Sequence, residues 1–532
     1  MGHVFPLMRA GTMRALDRHA IEDLGIPGEL LMENAGSAVA RAVLAVRPPG
    51  GSVLVVCGGG NNGGDGWVVA RLLHGLGVPV RVAFVGDPDA LRGDAAAHHR
   101  RARAVGVEAE PADAGLPRAD VIVDAIFGTG LSREVEGAPA RAIGAIQAAS
   151  EQAVVVAVDL PSGVCADTGR VLGVAVEADL TVTLCAAKLG LALEPGRSLA
   201  GEIVVARIGI PEEAPGVAPD AALWTAAAAG LRLPERPEAG HKGRFGHVLV
   251  VAGSEGKTGA AALAAEGAAR AGAGLVTIAC PAGLNDILEV KCTEAMTVPV
   301  ADTPGRSFAS GASARIVALA TERDVVALGP GIGTGEETTK CVQAVVEAVE
   351  RPLVLDADGL NCLAGQPERL RARGAATVLT PHPGEAGRWL GASAAEINAD
   401  RVGAARRLAE ATGAVVLLKG AGTVVAGPDG AIAINPTGGP VLGTGGTGDV
   451  LTGLCAGFLA QGLAAFEAAA LAAFVHGAAG DRLAESRGES GALAGEIAAE
   501  VPAAIEALRQ AALQSFDEAD PAEDLEIAFP EP

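Results

Sequence analysis

Short uninterrupted apolar runs alternate with segments whose apolar residues recur every three or four positions, and the whole series occurs twice along the chain. Residues 9–46 predict two helices: Arg14, Asp17 and Arg18 sit among apolar positions at helical spacing, and LLMENAGSAVARAVLAV follows Pro27-Gly28. From Ser52 the runs SVLVVC, VRVAFV, ADVIVDAIFG, AVVVAVDLPSG, LTVTLC and GEIVVARIGI predict strands, with helices between them that include 90–105 and 138–149. Continuously apolar strands separated by helices predict a parallel sheet buried on both faces.

A proline-rich stretch from Pro211 to Pro237 then interrupts the pattern, and a second series begins at HVLVVAG (247–253). It runs through GLVTIAC, DVVALGPG, PLVLDADG, ATVLTPHPGE, VVLLKG and TVVAG to an alanine-rich helical stretch over 448–512. The expected organisation is two α/β domains, each a three-layer αβα sandwich, at 1–212 and 239–512, with a linker over 213–238. The last twenty residues (513–532) carry seven acids and no base, which predicts a disordered acidic tail.

Composition narrows the function. The net charge of −22 and the 2% aromatic content, with no Tyr, argue against a nucleic-acid partner, which needs a basic face or stacking rings. Eight scattered cysteines without a C-x-x-C pair predict buried thiols in a reducing cytoplasm. No secretory leader is read, and the apolar stretch from Val450 to Val475, broken by Gly and carrying Glu467, predicts core helix rather than a membrane span.

Glycine motifs need care, because Gly makes up 74 of 532 residues. G-x-G-x-x-G occurs at Gly58-Gly60-Gly63 and at Gly443-Gly445-Gly448, where this composition alone gives about 1.4 matches. Asp65 near the first helix start would compete with a pyrophosphate for the amide donors, which disfavours ordinary dinucleotide binding there. A phosphate-loop reading of Gly256-Lys257-Thr258 fails, since its first glycine falls on Val251. Three acids, Asp65, Asp124 and Asp159, end successive apolar strands or the loops just after; they either cap helices or converge on one ligand crevice.

The specified strings TMRALDRHAI, LMENAG, GNNGGDG, VDAIFGTGL and VDLPSG, in that order, resemble the YjeF N-terminal family of NAD(P)H-hydrate epimerases over 9–212. KTGAA, AGAGLVT, LGPGIG, LDADGLN, TPHPGE, KGAGT and GTGGTGDVLTG resemble the NAD(P)H-hydrate dehydratases over roughly 240–510. The fused order resembles the bifunctional repair enzymes of this chemistry. The resemblance implies a Rossmann-like first domain and a ribokinase-like second one, cytoplasmic and homo-oligomeric, acting on NADH and NADPH hydrates with ADP as co-substrate.

In the first domain the resemblance implies hydrate binding along Asn61, Asn62, Gly63, Gly64 and Asp65, along Gly128, Thr129, Gly130, Leu131, Ser132, Arg133 and Glu134, and at Asp159. It also implies a potassium ion on Asn62, Asp124 and Ser162, oxygen ligands suited to a hard cation. Asp159 is the expected acid/base; Arg133 either answers phosphates or stands solvated, and Lys188 reads better as a surface lysine than as a neighbour of the site.

In the second domain Gly443 to Gly448 precede a helix whose first amides would hold a transferring phosphoryl group, beside Asp449 as the base. The resemblance implies ADP binding by Lys419, Gly420, Ala421, Gly422, Thr423, Gly445, Gly446, Thr447 and Gly448. It implies hydrate binding by Ala260, Ala261, Gly331, Gly333, His382 and Asp449. Asp356 and Asp358 are either magnesium-phosphate ligands or plain loop acids. Two alternatives stay open: a small-molecule kinase in the second half, and a non-catalytic binding module in the first.

Overall fold

The computed structural model describes residues 4–112, 115–211, 214–515 and 526–530. The chain divides into two units, one built from Pro6–Ala222 with a C-terminal strand, the other from Leu223 onward.

The first unit centres on one sheet. Its strands run, from edge to edge, Glu202–Ala206, Leu180–Leu184, Val154–Val158, Val121–Ala125, Val53–Cys57, Val80–Phe84 and Ala109–Pro111, all parallel. Alternate residues of the strand Val53–Cys57 enter different cores: Val53, Val55 and Cys57 pack in one cluster, Leu54 and Val56 in another. Both faces are therefore covered, as the unbroken apolar runs require. The chain reverses its direction of strand addition between Val53–Cys57 and Val121–Ala125, and a ligand crevice in such a sheet opens there, at the carboxyl ends.

The second unit repeats the plan. Its strand order is Met296–Val300, Leu275–Pro281, His247–Val251, Val325–Leu328, Leu353–Leu355, Thr377–Leu379 and Val415–Leu418, parallel throughout, extended by antiparallel Thr423–Ala426 and Ile432–Asn435. Helices Thr258–Arg270 and Thr447–Ala460 cross this sheet in direct backbone contact. A Cβ on Gly453 would collide with the Ala264 carbonyl, and one on Gly267 with the Val450 carbonyl. Glycine at both positions lets the helix that carries Asp449 sit against the helix that carries Ala260 and Ala261.

Two expectations are corrected. The linker expected over 213–238 is, across its described residues 214–238, part of a folded unit: Thr225 caps a helix over Ala226–Leu231, and Trp224, Ala229 and Leu233 are buried in the second unit's core. The proline content marks turns there, while the apolar residues between the prolines still find a core. The acidic tail is not wholly disordered, because Glu526–Ala528 adds an antiparallel strand beside Glu202–Ala206 and Arg41 pairs with Glu526 at 2.9 Å; residues 516–525 lie outside the described part. The alanine-rich stretch forms three helices, Thr447–Ala460, Ala465–Arg487 and Ala494–Gln514, whose alanines largely fill the core rather than face outward. Among the described residues, no helix is long and apolar enough to cross a membrane.

Candidate functional sites

At the carboxyl edge of the first sheet lies a cavity of about 620 Å³. Asn61, Asn62, Asp65, Gly128, Thr129, Gly130, Leu131 and Asp159 line it, together with Arg14, Asp17 and Lys188. Gly63 and Gly64 serve the wall instead: a Cβ on Gly63 would strike the Gly58 carbonyl, and one on Gly64 the Met32 thioether. Ser132, Arg133 and Glu134 are exposed and outside the cavity lining, so the solvated reading of Arg133 describes its setting.

Asp159 sits in a left-handed backbone conformation, φ +69°, which Asp tolerates better than most residues. One carboxylate oxygen accepts the Thr129 amide at 3.2 Å; the other accepts the Leu184 amide at 3.3 Å and faces Lys188 in an ion pair. Lys188 is only 1% exposed and donates to Leu184 O at 2.5 Å and to Thr183 Oγ1 at 3.1 Å. The surface reading of this lysine is thereby overturned. Residues Ala187–Lys188 bridge to Leu7–Met8, and that pairing draws the side chain inward.

Asp65 is buried in the second turn of the helix Asn61–Gly75. Burial, with Asp159 and Asp17 nearby, pushes its carboxyl well above the usual range; Lys188 offsets this only in part. Asp124 and Ser162 form a separate buried pair. Ser162 Oγ donates to Asp124 Oδ1 at 2.6 Å, the Ser162 amide donates to Asp124 Oδ2 at 2.7 Å, and the Phe127 amide donates to Ser162 Oγ at 2.8 Å. Burial raises the Asp124 carboxyl to about 6 against those hydrogen bonds.

The second unit gathers its charges at the ends of adjacent strands. Lys419, following Val415–Leu418, donates to Asp356 Oδ1 at 2.8 Å, and Thr452 donates to Asp356 Oδ2 at 2.7 Å. Glu385 stands 4.0 Å from the same ammonium. The lysine's need for a partner, evident in the sequence, is met by Asp356. Burial pulls the Lys419 pKa down, but these carboxylates outweigh it and leave it raised. Asp449, one helical turn before Thr452, is pushed up to about 6 by burial and by Asp356, with Lys419 opposing.

Beside this cluster Lys257 and the Gly333 amide both donate to Asp358, at 3.0 and 2.9 Å, and Gly331 lies where a Cβ would meet Ala260 at 3.0 Å. Gly331, Gly333 and Ala260 thus belong to one wall. The loop Lys419 to Thr423 is braced by buried Arg401, which donates to the Leu418 and Lys419 carbonyls and lies against Gly420.

Two of the expected site segments also make local hydrogen bonds of their own. His382 Nδ1 accepts the Gly384 amide at 3.0 Å and so caps the helix Pro383–Leu390, with its edge half exposed. The glycine turn before Asp449 also folds on itself: Thr447 Oγ1 donates to Leu442 O at 2.9 Å and the Asp449 amide to Gly446 O at 3.1 Å, which takes up part of the donor set expected for a phosphoryl group. Sequence reasoning missed Thr452, Glu385 and Arg401. Thr452 had a signal, its i+4 spacing from Gly448 inside a motif already singled out.

Two family models match the chain: YjeF-related protein N-terminus over residues 28–190 and NAD(P)H-hydrate dehydratase over 248–503. The bifunctional NAD(P)H-hydrate repair enzyme of Moorella thermoacetica is 44% identical, over 92% of this chain and 94% of that protein. Its counterpart in Escherichia coli is 36% identical over 91% of each. The crystal structure of a Bacillus subtilis ADP/ATP-dependent NAD(P)H-hydrate dehydratase, co-crystallised with ATP and Mg2+, is 31% identical and covers 54% of this chain and 98% of that one, with a TM-score of 0.47. With both halves matched in order and two full-length relatives aligned across nine-tenths of their length, the chain belongs to the family of bifunctional NAD(P)H-hydrate repair enzymes.

Proposed function

We propose that the first unit interconverts the R and S epimers of NADH or NADPH hydrated at the nicotinamide ring, and that the second dehydrates the S form at the expense of ADP. The carrying observation is that each unit has its own charged cluster at the carboxyl edge of its own sheet: Asp159 with Lys188, and Asp449 beside Lys419 and Asp356.

In the second unit Asp449 takes the proton from the ring hydroxyl as that oxygen attacks the terminal phosphoryl group of ADP. The ring nitrogen's lone pair then expels phosphate, a far better leaving group than hydroxide, and the resulting C=N cation loses a proton from the adjacent ring carbon to solvent, so that NAD(P)H and AMP remain. Lys419 counters phosphate charge, with Gly420 to Thr423 and the Gly445 to Gly448 turn against the nucleotide; Ala260, Ala261, Gly331, Gly333 and His382 face the hydrate.

The donor sets fit the two implied ions. Asp356, Asp358, Glu385 and Asp449 surround Lys419 and Lys257, so a polyanionic nucleotide entering this acid-rich site needs a divalent cation, and magnesium carried on its phosphates supplies that charge. In the first unit the side-chain oxygens of Asp124, Ser162 and the buried Asn62 are hard donors, which suits potassium. It would fix a positive charge beside the cavity wall. The eight free cysteines accord with a cytoplasmic protein. Oligomers, as the family resemblance implies, complete the reading.

The test is a pair of variants. Asp449→Asn is expected to abolish dehydration of S hydrate while epimer exchange continues. Asp159→Asn is expected to leave S repairable and R converted only at its spontaneous rate. Normal dehydration in the first variant would remove Asp449 from the role.

A further inference from the structure

We propose that the second unit carries an anion site, apart from its catalytic cluster, that takes a diphosphate group, free or borne by a nucleotide. The site lies at the far ends of the two helices that carry the catalytic wall. Helix Thr447–Ala460 presents Asp449 in its first turn and is followed by Gln461. Helix Thr258–Arg270 presents Ala260 and Ala261 in its first turn and is followed by Ala271 and Gly272. Gln461, Ala271 and Gly272 line a cavity of about 180 Å³. At 1.5 Å of rise per residue, the helix from Asp449 to Gln461 puts this cavity about 18 Å from the catalytic acid.

Charge sets this cavity apart. Arg236, Arg270 and Arg509 line it, and no acid stands among its described lining residues, in a chain of net charge −22. A larger cavity of about 400 Å³ shares Leu233, Pro234 and Gln461 with it, and adds Arg232 and Arg244 against Glu235 and Glu467. The outer cavity is therefore balanced, while the inner one gathers three guanidinium groups.

Helix carboxyl ends attract arginines, and that explains part of the cluster. Each end carries about half a negative charge, so the two ends here offset about one guanidinium. Arg270 pairs with Glu266 at 3.4 Å, but the two side chains are 43% and 38% exposed, and a pair so open to solvent neutralises little. The other two arginines are held by neutral partners. Arg236 donates to Gly272 O at 3.2 Å and lies 4.2 Å from the centre of the Phe245 ring; Arg509 donates to Pro234 O at 3.2 Å. A carbonyl fixes the direction of a guanidinium without cancelling its charge, and most of its five N–H donors stay free. Gly272 shapes the wall: its φ is +104°, and a Cβ there would lie 2.8 Å from Arg236 Nη1. Three guanidiniums around one small cavity call for a compact, multiply charged anion rich in oxygen. Their planar forks match phosphate oxygens two at a time. A diphosphate supplies that charge, and the adjoining outer cavity has room for an attached nucleoside.

The test is isothermal titration of inorganic pyrophosphate, and separately of ADP, into the full chain without divalent cations. Under that condition the acid-rich catalytic cluster around Lys419 repels a bare polyanion. Saturable binding of one pyrophosphate per chain is expected. The double variant Arg236→Gln, Arg509→Gln should weaken it at least about tenfold, and Lys419→Met should change it less than about twofold. Arg270→Gln, at an exposed side chain, should weaken it at least about threefold and decides the matter if the double variant fails to fold. ADP binding with the same arginine dependence assigns the diphosphate to a nucleotide; binding of pyrophosphate alone assigns it to the free anion. Three results would overturn the proposal: no binding of either probe, sulfate held as tightly as pyrophosphate, or binding lost in Lys419→Met and kept in the arginine variants.

Discussion

Lys188 closes an ion pair with Asp159 from a position only 1% exposed, so the one lysine in the first cavity's lining is spent on the carboxylate expected to do the chemistry. Removing one member of such a pair leaves the other charge buried and uncompensated. Lys188→Met is therefore expected to destabilise the first unit by about 3–5 kcal/mol, and adding Asp159→Asn to recover a large part of that loss. Hydrogen exchange of the strands Val154–Val158 and Leu180–Leu184 measures it; additive losses in the double variant would show that the two side chains do not act as a pair.

The dehydratase should carry an acid limb set by Asp449. Its carboxyl, raised to about 6, must be ionised to accept a proton, so kcat/KM is expected to fall as pH drops through about 6 and to level above it. Asp356 contributes to that elevation by like-charge repulsion. Asp356→Asn should accordingly move the limb to lower pH, whatever it costs in rate. A limb that stays in place would detach it from Asp449.

The contact between the helices Thr258–Arg270 and Thr447–Ala460 holds Asp449 relative to the hydrate wall. Gly453→Leu would drive a side chain into the Ala264 carbonyl and the backbone around Ala268. Overpacking of this kind costs about 1–3 kcal/mol or more. The expected signature is a dehydratase that loses kcat along with stability while R and S hydrates still interconvert, measured on one preparation. Equal loss of both activities would point to general unfolding instead.

Much of this architecture can be read from the chain, for a physical reason. Strands buried on both faces must be apolar throughout, so VLVVC, VIVDA and VVVAV announce a covered parallel sheet, and Asp65 and Asp159 follow two such runs where topology makes them converge. What escaped is what depends on partners distant in sequence. Lys188 looks like any surface lysine until Leu7–Met8 pairs beside it, and Asp356 serves Lys419 across 63 residues. The strand Glu526–Ala528 hides because three residues in an acidic segment carry too little pattern to outweigh the charge. Segment 214–238 misleads for the opposite reason: its prolines are conspicuous, and buried residues between them such as Trp224, Ala229 and Leu233 are not.

The most direct test of two activities in one chain is the return of reduced-nicotinamide absorbance from a mixture of R and S NADH hydrate, with ADP or ATP supplied separately. Complete ADP-dependent recovery of both epimers, faster than spontaneous exchange permits, is the expected result. Recovery that stops at the S fraction would contradict an active first unit, and no recovery with either nucleotide would contradict the account as a whole.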